Sequence, residues 1–186
     1  TTGDKMRSMP TMKILGVLVD TQLGSQTDLD ALRNEKVRRI VAHAYNNVPF
    51  YHELLRGHNL NPKDIKCVED LEKLPIVTKK DIQINFPKKI IAQNVKQKRL
   101  TASSTAGSTG EPLYFFTDKS SRAYCRAAFY RFLKWTGTDI GDKIVQLWAG
   151  PELGRIKDSF IRRMKEKALR ISTLNALTMD DARIYH

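Results

Sequence analysis

The sequence predicts an α/β fold, in which short helices at the N-terminus lead into the start of an α/β sheet packed by helices. Three observations predict it. Up to about residue 90, apolar positions recur at helical spacing between Pro, Asn and Gly punctuation. From residue 99 onward, β-favouring runs alternate with helical ones. Hydrophobic residues make up 41% of the 186, enough for a buried core in a chain of one-domain length.

Each element has a local cause. The run Ile14-Leu15-Gly16-Val17-Leu18-Val19, closed by Asp20, predicts a buried or edge strand. It is too short for a signal-peptide core and far below the ~20 residues of a membrane span. Thr27 or Asp28 caps a long helix whose apolar positions are Leu29, Leu32, Val37, Ile40, Val41, Ala44, Tyr45 and Val48. Pro49 ends it, because a residue before proline avoids the helical region and proline lacks an N–H. A second helix over residues 50–56 stops at Gly57, and Asn61-Pro62 reads as an N-cap with proline at the first helical position. Residues 71–74 form a helical turn closed by Pro75. Thr78-Lys79-Lys80-Asp81 has the form of a capping box, opening a helix that Phe86-Pro87 terminates.

Residues 99–104 and 113–117 read as strands, the second favoured by Tyr114, Phe115 and Phe116. Asp118 or Ser120 caps a helix that turns Tyr124, Ala127, Ala128, Phe132 and Trp135 toward a core, with Phe129 also read as core, and Gly137 closes it. Residues 143–149 (KIVQLWA) predict a buried strand, residues 155–168 a basic amphipathic helix burying Ile156, Phe160, Ile161 and Met164, and residues 169–173 the next strand. The expected organisation is a helical region over 1–98 and a first α/β segment over 99–186, together one structural unit. The chain starts at Thr1 and stops at His186 within an expected helix start, so it is expected to be a piece of a longer protein.

Composition narrows the function. The net charge of +12 gathers in two stretches, residues 88–99 and 155–170, each carrying a net +5. Such runs are either solvated faces or phosphate-binding surfaces. Cys67 and Cys125 are 58 positions apart with no CxxC, which excludes a disulfide framework and a cysteine zinc site and fits a reducing cytoplasm. His43 and His52 lack partners at metal spacing and read as packing or surface residues. Glu69, Asp70 and Asp81 read as capping and solubility groups. Trp148, at the end of its strand, stands either in the core or where open sheets bind ligands.

One stretch carries chemistry. Seven of the eight residues from Ser103 to Gly110 are Ser, Thr or Gly, between two predicted strands. Such a loop turns successive N–H groups inward as an anion cradle, with hydroxyls as further donors, or it is an ordinary polar hairpin loop. A P-loop is excluded, because Pro112 stands five residues after Gly107 and no Lys-Ser or Lys-Thr pair follows. GxGxxG is also absent.

Thr105-Ala106-Gly107-Ser108-Thr109-Gly110-Glu111-Pro112 resembles the phosphate-binding loop of the AMP-forming, adenylate-forming ligases. Residues 41–51 (VAHAYNNVPFY), 71–79 (LEKLPIVTK) and 137–143 (GTDIGDK) resemble the phenylacetate–CoA ligase-like branch, which includes relatives encoded with capsular polysaccharide genes. The resemblance runs from about residue 32 to the end and implies the N-terminal part of the large ligase domain. It further implies ATP and Mg²⁺ as cofactors, a small-molecule carboxylate substrate, and coenzyme A as an acyl acceptor. By carry-over, Thr105, Ser108 and Thr109 offer hydroxyls, and Gly107 and Gly110 offer backbone N–H groups. Three positions depart from the family pattern: Ala106, Glu111, and Leu113 where many members have Lys. A cation from elsewhere, such as Lys98 or Arg99, is then required. The family's aromatic-Gly-x-Thr-Glu segment, ribose-binding Asp and C-terminal Lys have no counterpart here, so the chain alone is expected to be inactive and no catalytic residue is assigned. The competing readings are an inactive relative and a basic module for nucleic acid or an anionic membrane surface. Against nucleic acid, neither charged stretch interleaves with aromatics.

Overall fold

The computed structural model describes residues 10–105, 111–148, 164, 167–168 and 170–176. The elements in order are α1 (Pro10–Gln22), α2 (Gln26–Asn47), α3 (Pro49–Gly57), 3₁₀ turns at Pro62–Asp64 and Glu69–Lys73, and α4 (Lys79–Asn85). A third 3₁₀ turn, Gln97–Arg99, precedes β1 (Thr101–Ser104), β2 (Tyr114–Thr117), α5 (Lys119–Trp135), β3 (Ile144–Trp148) and β4 (Ile171–Asn175). The result is a helix-dominated α/β architecture with small sheets. The chain divides into two compact units, residues 1–128 and 129–186.

In the first unit, α1 replaces the strand expected at residues 14–19. A short apolar run does not distinguish strand from buried helix by periodicity. Here the three-residue step decides: Leu15 and Leu18 are buried on one face while Val17 is exposed. The cap of α2 is Ser25, upstream of the expected Thr27 or Asp28. Its hydroxyl accepts the Asp28 N–H at 3.2 Å while the Asp28 carboxylate accepts the Ser25 N–H at 3.3 Å. Asp28 therefore closes the capping box from the third helical position. α2 ends as expected, with Val48 extended (φ −114°, ψ 108°) before Pro49. Ile40, expected on the buried stripe, is 61% exposed. Beside it Val41 is buried, as are Val48 and Phe50 around the helix junction, Leu55 of α3, and Ile65 in the loop that follows. That loop is fastened to α2 by Arg38, which donates to the Lys66 carbonyl at 2.8 Å, and by Asn34, which accepts the Val68 N–H at 3.0 Å. Asp70 closes it by accepting the Lys66 and Cys67 N–H groups and the Lys73 ammonium.

β1 and β2 form an antiparallel pair in the register Thr101↔Thr117 to Ser104↔Tyr114. Asp118 caps α5, its carboxylate accepting the Ser121 N–H at 2.7 Å. The expected core face of α5 needs correction. Ala127 alone among the residues expected there is fully buried, and Tyr124, Phe129, Phe132 and Trp135 are exposed. An aromatic face is buried only by an opposing element, and the small sheets of the described residues do not cover this one.

In the second unit, α5 ends at Gly137 (φ +78°), whose N–H donates to Lys134 O while Thr138 N–H reaches back to Leu133 O. This Schellman pattern needs a left-handed residue, which glycine supplies without a Cβ clash. The GTDIGDK segment then turns into β3, with the Asp142 carboxylate accepting the Asp139 N–H at 2.7 Å. β3 pairs with β4 in parallel, from Ile144↔Ile171 to Trp148↔Asn175. Of the expected basic helix, Met164 is helical but exposed rather than buried; Ile156, Phe160 and Ile161 lie outside the described residues.

Candidate functional site

The Ser/Thr/Gly loop lies where the sequence places it, between the two strands of the β1–β2 hairpin. Its described end is Thr105. The Thr105 N–H donates to the Leu113 carbonyl at 3.0 Å, and the Leu113 N–H donates to the Thr105 hydroxyl at 3.0 Å. These two bonds close the mouth of the loop one step beyond the last paired residues, Ser104 and Tyr114. The backbone amide of Thr105 is thus engaged within the hairpin. Its hydroxyl oxygen is oriented by Leu113, which leaves the hydroxyl hydrogen to donate elsewhere. Gly107, Ser108, Thr109 and Gly110 lie outside the described residues.

Helix α4 buttresses this hairpin at both of its ends. Thr78 caps it in the expected capping box: its hydroxyl donates to the Asp81 carboxylate at 2.6 Å, and its N–H does so at 2.8 Å. Those two donors hold the Asp81 carboxyl below the usual carboxylate range. Lys79, the first helical residue, donates from Nζ to the carbonyl of Glu111, at the loop's C-terminal flank. At the other end, Phe86 stacks on Phe116 of β2, with ring centroids 5.2 Å apart and planes within 16°.

Among the described residues, Lys79 is thus a cation brought to the flank of this loop, and the sequence did not single it out. Its signal was present in the capping box, which fixes the direction of the first helical side chain, but the pairing is 32 residues distant in sequence. Arg99, one of the two cations proposed from sequence, instead lines a cavity with Lys96 and Lys119. His52 is part-buried and its Nδ1 lies 2.9 Å from the Tyr45 carbonyl, a packing arrangement. Among the described residues, no cluster of three His, Cys, Asp or Glu is arranged to hold a metal ion. No helix among them is long and apolar enough to cross a membrane.

The chain is similar to known proteins over part of their length. The phenylacetate-coenzyme A ligase of Aromatoleum evansii is 38% identical over 98 residues, covering 52% of this chain and 22% of that protein. That of Pseudomonas putida is 33% identical over 121 residues, covering 62% of this chain and 27% of that protein. Protein CapK of Staphylococcus aureus is 35% identical over 91 residues, or 49% of this chain. The fold matches 2-hydroxyisobutyryl-CoA ligase in complex with 2-HIB-AMP and CoA, with a TM-score of 0.60 at 21% identity over 81% of this chain. Its postadenylation state gives 0.63 at 18% identity over 86%. Over roughly half of its length the chain is similar in sequence to phenylacetate-coenzyme A ligases. No protein-family model matches it. Its fold corresponds to the N-terminal part of an adenylate-forming ligase fold, and the chain spans about a quarter of the length of the curated relatives it matches.

Proposed function

We propose that this chain supplies the phosphate-loop region of an ATP-dependent ligase. Such an enzyme activates a small-molecule carboxylate as an acyl-adenylate and passes the acyl group to a thiol such as coenzyme A. The carboxylate oxygen attacks the α-phosphorus of ATP and diphosphate leaves. The thiol then displaces AMP from the acyl carbon. The observation that carries this reading is the Thr105–Leu113 closure, which presents the Ser/Thr/Gly sequence as a loop held at its base by two hydrogen bonds. Similarity to the phenylacetate-coenzyme A ligases supports the reaction class.

In this reading, Thr105, Ser108 and Thr109 donate hydroxyl hydrogens to phosphate oxygens. Gly107 and Gly110 donate backbone N–H groups, since the amide of Thr105 is already engaged in the hairpin. Mg²⁺, when bound with ATP, offsets part of the triphosphate charge. Lys79 fixes the loop's far flank through the Glu111 carbonyl and adds a positive charge to its surroundings. A cytoplasmic location follows from the need for ATP and coenzyme A. The chain alone is inactive in this reading, because the family's ribose-binding Asp and C-terminal Lys have no counterpart in it.

The test is calorimetric titration of the chain with ATP–Mg²⁺, alongside a diphosphate-release assay with a panel of carboxylic acids. The wild type binds ATP, and the double variant Ser108→Ala/Thr109→Ala binds at least about tenfold more weakly through loss of two donors. Equal affinity in the variant overturns the loop assignment. Diphosphate release by the isolated chain overturns its incompleteness while leaving the ligase class standing.

A further inference from the structure

Helix α5 carries Lys119, Arg122, Arg126, Arg131 and Lys134 and no acid, a third basic stretch beyond the two evident from charge counting. Its first three cations recur at i, i+3 and i+7, which sets them on one helical face. That face borders two adjoining cavities in the first unit, which share Lys119 and Ser120. One, of about 570 Å³, brings Lys96 and Arg99 up to Lys119, with Asp118 as the acid in its wall. The other, of about 470 Å³, places Arg122 and Arg126 opposite Pro10, Thr11 and Ile14 of α1.

Five cations thus converge on one groove from two separate segments of chain, and a third segment, in α1, completes its wall. Like charges at i, i+3 and i, i+4 destabilise a helix, and this arrangement accumulates them rather than dispersing them. Elsewhere among the described residues, Arg33, Arg39, Lys73, Lys89 and Lys134 each have a carboxylate within ion-pair distance. Lys96, Arg99, Lys119, Arg122 and Arg126 form no ion pair among those residues. Asp118 is occupied as the α5 cap through the Ser121 N–H. Arg122 is held in place by donating from Nη1 to the Thr101 hydroxyl at 2.6 Å, which leaves the rest of its guanidinium fork for a ligand.

We propose that this groove binds a small soluble ligand carrying two or more phosphate groups, at a place separate from the Ser/Thr/Gly loop. Phosphate suits a mixed Lys and Arg lining, because guanidinium matches its oxygens bidentately and ammonium adds compact charge. Two cavities, each of the size that small ligands occupy, favour a compact multivalent anion over a polymer or a flat bilayer. Val95, Ile14 and Ala123 give the uncharged part of such a ligand an apolar wall.

The probe is inorganic tripolyphosphate, titrated calorimetrically into the full chain without Mg²⁺ at constant ionic strength. Wild type binds it. Arg122→Glu/Arg126→Glu weakens binding at least about tenfold, and the charge-matched Arg33→Glu/Arg39→Glu on α2, outside the groove, changes it less than about twofold, because each cation–phosphate contact in the groove is a charge-assisted bond. Circular dichroism confirms that the charge-reversed variant is folded, and Lys119→Gln/Arg126→Gln replaces it if it is not. Three results overturn the proposal: no binding by wild type, undiminished binding by the groove variants, or an equal loss in the charge-matched α2 variant. Sedimentation with phosphatidylglycerol vesicles in the absence of tripolyphosphate binding also overturns it, assigning the groove to a membrane surface.

Discussion

At the scale of single residues, Asp81 shows how a side chain that reads from sequence as a helix cap also carries a pH dependence. Its carboxyl is held below the ordinary value of 3.8, first by the Thr78 hydroxyl and then by the Thr78 N–H. A carboxyl depressed on folding stabilises the folded state above its unfolded pKa, and that contribution disappears as pH falls through the lowered folded value. The expected outcome is that wild type is more stable than Asp81→Asn at neutral pH and that the gap closes under acid. Urea unfolding at neutral pH and below the ordinary Asp pKa measures it; a gap that persists in acid refutes the assignment. Thr78 and Asp81 were legible because a cap is a contact between near neighbours in sequence. Lys79 at Glu111 and Thr105 at Leu113 are partly or wholly long-range. The Lys79 contact required the hairpin and α4 to be placed in space, and no residue pattern encodes that distance.

At the scale of elements, the boundaries that sequence foretold are those set by proline, glycine and capping side chains. Pro49 ends α2, Asn61-Pro62 starts a 3₁₀ turn, Thr78 starts α4, and Gly137 ends α5. Each is a local steric or hydrogen-bonding rule. Burial is a different kind of property, since it belongs to an element and its neighbour together. Hence the periodicity of α5 was right and its aromatic face is nonetheless exposed, with Phe132 and Trp135 packed edge-to-face at 4.8 Å and the Arg131 guanidinium 5.4 Å from the Trp135 ring centre. The run at 14–19 failed for a related reason, because strand and helix share apolar composition and only packing of Leu15 and Leu18 separates them. The Gly137 turn offers a clean test at this scale. At φ +78° an added Cβ meets no neighbouring atom, so the cost of Gly137→Ala is conformational, about 1 kcal/mol. Gly137→Asn costs less, since asparagine tolerates the left-handed region. Tryptophan fluorescence during urea unfolding reads both variants, and equal stability of the alanine variant and wild type rules out this closure of the helix.

At the scale of the whole molecule, a net charge of +12 and a sequence pI near 9.8 make association with any polyanion unavoidable at low salt. That general attraction has to be separated from a built site. Exposed charges more than a Debye length apart are screened, and this length is about 8 Å at physiological ionic strength. Binding through diffuse charge therefore falls steeply with salt in proportion to the number of phosphates contacted. Cations held around one groove and sharing a single compact anion lose less, because the partners are in direct contact. The prediction is that a random single-stranded oligonucleotide binds the chain at low salt and is released near physiological salt, whereas tripolyphosphate remains bound there. Fluorescence anisotropy with a labelled oligonucleotide, repeated across a salt series, reads the first half, and calorimetry reads the second. If the oligonucleotide persists at high salt while tripolyphosphate does not, the basic stretches form an extended nucleic-acid surface. In that case the ligase-like fold would be serving as a binding module, and the cations of α5 would be read as phosphate-backbone contacts spread along a strand.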